Sequence, residues 1–233
     1  MKIGNKVTSV VASKDSKFYF LSVNYDTDPT SKYITQYDAR TNKLLKIYKS
    51  DHREDITLMV ITKDNKFLFS VDNDFSLVKW KLQRTEAQTS DKERSSTNNL
   101  KLSKLGFFKK IHHDFVNCIK MSACNQYLYT CSDDTNINQI SILDPKKKRV
   151  YENAHRSEIK CLAVSYDSKY LFSSGSDEVL KQWRIKSLKN SKSISADEDQ
   201  FLELTEEIKN NNKAKVGIIY TMAIGKIFYF LKT

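Results

Sequence analysis

Four times along the chain, a run of alternating apolar and polar residues is broken by a short polar phrase and then resumes. The phrases are Asp15-Ser16-Lys17-Phe18, Asp64-Asn65-Lys66-Phe67, Cys124-Asn125-Gln126-Tyr127 and Asp167-Ser168-Lys169-Tyr170. Alternation with period two marks a strand with one buried face. Asp, Asn and Ser favour a tight turn because their side chains bond the nearby backbone. The aromatic residue that closes each phrase opens a new β-favouring run. Each phrase therefore predicts strand, turn, strand.

A second column follows. Tyr37, Trp80, Ile140 and Trp183 align, preceded three residues earlier by Ile34, Leu77, Ile137 and Leu180. The intervals between members of this column are 43, 60 and 43 residues. The long interval contains the polar, Ser/Thr/Asn-rich stretch 84–104, read as a loop insertion with an excess of 17 residues, and without that excess it too is 43. Four short strands and their turns need a period of this length.

A third set of columns holds its spacing across three repeats. His52, Ser70, Asp74 and Trp80 recur as His112, Thr130, Asp134 and Ile140, and then as His155, Ser173, Asp177 and Trp183. Histidine to Ser/Thr is 18 residues each time, Ser/Thr to Asp is 4, and Asp to the Trp column is 6. This pattern resembles the WD-repeat β-propeller family over most of residues 1–188. The resemblance implies an all-β fold, a propeller of four-stranded antiparallel blades in which each set forms a buried hydrogen-bonded tetrad. It places repeats at about 3–48, 52–83, 112–151 and 155–185. The sequence departs from the family in several places. Ile140 replaces Trp in the third repeat, and the first repeat has Ile3 in the His column and six extra residues before Tyr37.

Residues 189–213 read as a polar linker, within which Phe201–Ile208 fits a short helix or an outer strand. Residues 214–233 resemble the start of a fifth, partial blade. Propellers close at about four to eight blades, so four blades and a part are expected to be an incomplete ring. The chain is then a fragment, or completes its ring with a partner, or forms an irregular small ring; the first is favoured. The apolar segment Val216–Leu231 is shorter than the roughly 20 residues a spanning helix needs and contains Lys226, so it reads as strand.

Ser173, His155 and Asp177 are the residue types of a hydrolase triad. Their recurrence as a set in several blades fits buried, satisfied hydrogen bonding instead, so no catalytic residue is assigned and no enzyme activity is expected. The cysteines Cys118, Cys124, Cys131 and Cys161 form no C-x-x-C pair and lack zinc-ligand spacing. No metal, cofactor or small-molecule substrate is expected, and no membrane partner.

The net charge of +11 changes the picture of partners only in part. It favours acidic partners through a long-range field, and the lysines are spread along the chain. The dense run Lys146, Lys147, Lys148 and Arg149 after Pro145 resembles a short nuclear import signal. It is also expected in the turn between third and outer strands. The expected function is a non-catalytic scaffold binding other proteins in a multiprotein complex, in the cytoplasm and also the nucleus. By the resemblance, its binding rim contains Arg53, Glu54, Asn73 and His113 at the strand entries and tetrad turns. Asp114, Asp133, Arg156 and Glu158 extend that rim. The alternative is a nuclear ribonucleoprotein component that rests a basic surface on RNA, although no RNA-reading motif is present.

Overall fold

The computed structural model describes residues 6–24, 31–85, 99–122, 124–187 and 200–209. These form sixteen strands and no helix among the described residues. The chain divides into two compact units, Met1–Ile111 and His112–Thr233. Each holds two four-stranded antiparallel sheets, or blades.

In the first unit, blade one is β1 (Lys6–Ala12), β2 (Phe18–Asn24), β3 (Lys32–Asp38) and β4 (Leu44–Lys49). Blade two is β5 (Ile56–Ile61), β6 (Phe67–Asp72), β7 (Leu77–Thr85) and β8 (Asn99–Phe108). In the second unit, blade three is β9 (Val116–Met121), β10 (Tyr127–Ser132), β11 (Ile137–Ser141) and β12 (Lys148–Tyr151). Blade four is β13 (Ile159–Val164), β14 (Tyr170–Gly175), β15 (Val179–Ser187) and β16 (Gln200–Lys209). Within every blade, consecutive strands are neighbours.

The four polar phrases are the turns between first and second strands. Their second residues, Ser16, Asn65, Asn125 and Ser168, take φ of 56°, 55°, 58° and 57°. Among residues with a Cβ, Asn enters this left-handed conformation at low cost, as at Asn65 and Asn125. A hydroxyl that the sequence reading overlooked closes each turn. Ser13, Thr62, Ser122 and Ser165 accept the amide N–H of the aromatic five residues on, at 2.9–3.0 Å. In three blades the same hydroxyl donates to the Asp of the phrase.

Each unit has its own core between its two blades. In the first, Phe18, Phe20, Ile34 and Tyr48 of blade one pack with Met59, Ile61, Leu68 and Trp80 of blade two. In the second, Tyr129, Cys131 and Ile137 pack with Leu162, Leu171, Trp183 and Leu202. Burying such side chains contributes about 1.5–3 kcal/mol each.

Three readings of the sequence change here. Strand β8 takes up residues 99–108, so the stretch 84–104 is not one insertion: its two ends belong to β7 and β8. Blade two therefore runs to 108. The segment 189–213 is not linker throughout, because β16 occupies 200–209 as the outer strand of blade four. Leu202 from it is buried beside Tyr151 and Trp183, and that apolar contact outweighs the polar composition around it. The basic run is only half turn, since Lys148 and Arg149 pair with Ile140 and Gln139 in the ladder. The expected partial blade at 214–233 lies outside the described residues.

Candidate functional site

The tetrads are built where second and third strands bring distant columns together. In blade four, the Trp183 indole N–H donates to Ser173 Oγ at 2.8 Å, and His155 Nε2 lies 2.7 Å from the same oxygen. His155 Nδ1 meets the Asp177 carboxylate at 2.9 Å. A carboxylate only accepts, so Nδ1 carries the proton and Nε2 accepts from the serine hydroxyl. The result is a one-directional chain of donors from indole to carboxylate. Both His155 and Ser173 are buried. Burial disfavours the imidazolium, the Asp177 contact offsets this only in part, and the His155 pKa falls below its ordinary value.

Blade three repeats the core of this arrangement without the indole. His112 Nε2 is 2.8 Å from Thr130 Oγ1, and Nδ1 is 2.9 Å from Asp134. Ile140 fills the Trp position, fully buried. For Asp134, burial works to raise the pKa. Bonds from the His112 ring, from the amide of His113 and from that of Asn136 outweigh it and bring the carboxyl down to about 2. Asp177 is lowered in the same way by His155 and by the amides of Arg156 and Val179.

Blade two differs. His52 Nε2 contacts Ser70 Oγ at 2.7 Å, and the Trp80 indole donates to that oxygen at 2.9 Å, as expected. The carboxylate on His52 Nδ1, however, is Asp72 at 2.7 Å, and Asp74 is exposed. The tetrad position assigned to Asp74 thus belongs to Asp72. The reason lies in the column that Asp72 shares with Ser132 and Gly175 at the end of the second strand. A Cβ on Gly175 would stand 3.2 Å from His155 Nδ1 and 3.1 Å from Asp177 Oδ1. A side chain from this column therefore points at the imidazole. In blade four it is absent and Asp177 enters from the turn; in blade two, Asp72 fills the space itself. Its other oxygen accepts the amides of Asp74 and Ser76, closing the turn.

Blade one has no tetrad among its described residues. Its corresponding face is apolar: Leu21, Val23 and Tyr37 cluster, with Tyr19 stacked on Tyr37 at 5.0 Å and 5° between planes. The cysteines are free thiols, with Cys131 and Cys161 buried. The Cys131 thiol beside it, together with burial, pushes the Cys118 thiol up to about 11 against the opposing Cys161 contact, outside the range of a reactive thiolate.

Geometry, spacing and recurrence now agree with a direct comparison. Residues 104–140 and 146–184 match the family model described as WD domain, G-beta repeat. Over these two stretches, chiefly in blades three and four, the chain is similar to the WD-repeat family. The matched stretches start within β8 and just before β12, the outer strands of blades two and three, and end at Ile140 and one residue past Trp183, so the WD repeat is offset from the blade by about one strand. No curated protein matches the sequence. WD repeats are in general non-catalytic scaffolds for protein interaction, and the Ser–His–Asp sets here are internal to the blades.

The rim residues read from the sequence fall on the loops beside these sets. The amides of His113 and Arg156 are fixed by Asp134 and Asp177 at 2.9 and 3.0 Å, which leaves their side chains exposed on anchored backbone. Arg53, Glu54, Asp114 and Glu158 are exposed as well, and Asn73 is half-buried. Asp133 is committed: it accepts from Asn117 Nδ2 and Lys160 Nζ, both at 2.6 Å. Lys160 also pairs with Glu158 at 2.6 Å. Sequence reasoning missed Phe115, 53% exposed on the same loop. Its place directly after Asp114, in a column otherwise polar, was the signal available.

Proposed function

We propose that this chain is a non-catalytic adaptor that holds protein partners within a multiprotein complex. Its docking surface is the set of loops anchored by the tetrads. The observation that carries this reading is the fixing of the His113 and Arg156 amides by buried-end carboxylates. Loops held by a rigid scaffold present side chains at low entropic cost to binding. On the second unit, exposed Phe115, Arg156 and Glu158 give these loops both charges and an aromatic anchor of the kind enriched at interfaces; on the first, Arg53 and Glu54 stand exposed. The adaptor works in the cytoplasm or nucleus, and the Lys146–Arg149 run supports nuclear entry.

The test is a tagged pull-down of the full chain at physiological salt, divided and treated with or without ribonuclease. A defined protein set that survives ribonuclease is expected, and Arg53→Glu with Arg156→Glu should release part of it. Collapse of the set under ribonuclease would replace this reading with RNA binding through the basic surface, for which the +11 charge is the supporting observation.

A further inference from the structure

Each blade ends in an outer strand, and each outer strand has a single hydrogen-bonded strand neighbour among the described residues. Exposed edges invite pairing and are usually guarded by charge, brevity or a cover. Strand β12 is short and opens with Lys148 and Arg149. Strand β16 carries glutamates already tied across the ladder, Glu203 to Lys186 and Glu207 to Lys181, both at 2.7 Å.

Strand β4 is guarded by lysine alone, and exposes apolar residues beside it. Its Leu44, Leu45 and Ile47 are 42%, 36% and 46% exposed. Leu44 and Ile47 sit opposite Tyr37 and Thr35 and so share one face of the blade; Leu45 is the extra residue of a bulge. Between and beside them stand Lys43, Lys46 and Lys49, all exposed, none paired with a carboxylate among the described residues. Strands β8 and β16 have the same bulge, so it is not a guard particular to β4. From Lys46 to Lys49 the ladder is regular. The strand itself contributes no negative charge.

We propose that the β4 edge takes an extended acidic–apolar segment of a partner protein as a fifth strand of blade one. Main-chain hydrogen bonds would supply affinity, and alternate side chains specificity. On one face its apolar residues cover Leu44 and Ile47 and a carboxylate meets Lys49; on the other face a carboxylate meets Lys46. A second copy of this chain is the weaker occupant, because the acidic outer strand it would offer, β16, already has Glu203 and Glu207 neutralised. The proposal rests on the adaptor reading and names one partner class for it.

The test uses the full chain and a fluorescent peptide of repeated Val-Glu-Glu, which puts both residue types on each face of an extended strand. Binding is followed by fluorescence polarisation, and amide exchange is mapped with and without peptide. Binding with new protection confined to Leu44–Lys49 is expected, weakened by salt. Alternate N-methylation of the peptide should abolish it. Lys46→Glu with Lys49→Glu should weaken it by about tenfold, at unchanged melting temperature. Binding that survives N-methylation, or protection elsewhere, overturns edge addition. Self-association of the chain alone that the double variant removes assigns the edge to a second copy and overturns the proposal. Absence of peptide binding, while ribonuclease-resistant partners stay on the double variant, overturns it and leaves the adaptor reading standing. Loss of those partners from every variant and the parent alike defeats both.

Discussion

Asp72 in the first unit and Asp177 in the second hold the same histidine nitrogen from chain positions that do not correspond. Asp72 reaches His52 from the end of a strand; Asp177 reaches His155 from the turn, over the bare backbone of Gly175. The two units otherwise follow one plan. An outer-strand tyrosine in each joins its two blades. Tyr48 donates to Gln36 Oε1 at 2.9 Å and accepts the amide of Leu102. Tyr151 donates to Gln139 Oε1 at 2.8 Å and accepts the amide of Leu202 at 2.7 Å. Gln36 and Gln139, Tyr48 and Tyr151, and Trp80 and Trp183 all stand 103 residues apart. The comparison teaches that the blade demands a buried carboxylate against the imidazole, not a carboxylate at one alignment column.

The largest effect should separate the two aspartates of blade two. Asp72→Ala should lower stability in urea by about 3 kcal/mol, since it strands the His52 N–H and the Ser76 amide. Asp74→Ala should change it by less than about 0.5 kcal/mol. Equal effects would dissolve the distinction between the units. In blade four the order reverses by position: there the turn residue, Asp177, is the costly one.

Acid should expose the second unit next. The folded pKa of His155 is depressed, so its contribution is complete above about 6.5 and is lost as pH falls through the folded value. That of Asp134 is complete above about 4 and is lost toward about 2. The melting temperature should therefore fall by several degrees in two stages on acidification. Asp134→Asn should flatten the lower stage and leave the upper one; a single stage in both proteins would contradict this assignment.

The tyrosine clasps sharpen the likeness rather than the difference. Tyr48→Phe and Tyr151→Phe should each cost about 1–2 kcal/mol, because each leaves a glutamine oxygen and a backbone amide in need of partners. A large effect in one unit only would show that the shared spacing is not shared energetics. The smallest change concerns the turn after the tetrad. Phe75, Thr135 and Glu178 have φ of 59°, 68° and 60°, a region unfavourable to branched or bulky residues. Thr135→Asn should raise stability by about 0.5–1 kcal/mol in thermal melts, Asn being at ease there.

Much of this was legible in the chain. The repeating turn phrases and the fixed His to Ser/Thr spacing gave four blades and the histidine partners. The choice between Asp72 and Asp74 was not legible, because both lie within reach of His52 along one short turn, and only the direction of the Cβ decides. The clasp was hidden because Gln36 and Tyr48 are common residues with no pattern until Leu102 comes beside them. For Phe201–Ile208 a short helix and an outer strand both stood open, because the exposed glutamates fit either, and pairing with β15 decides for the strand.

The clasp also bears on how the blades can be divided. A tyrosine hydroxyl that needs the following blade for its second bond makes a pair of blades, not one, the unit whose hydrogen bonds are complete. Removing blade two or blade four alone would strand the tyrosine of the blade before it.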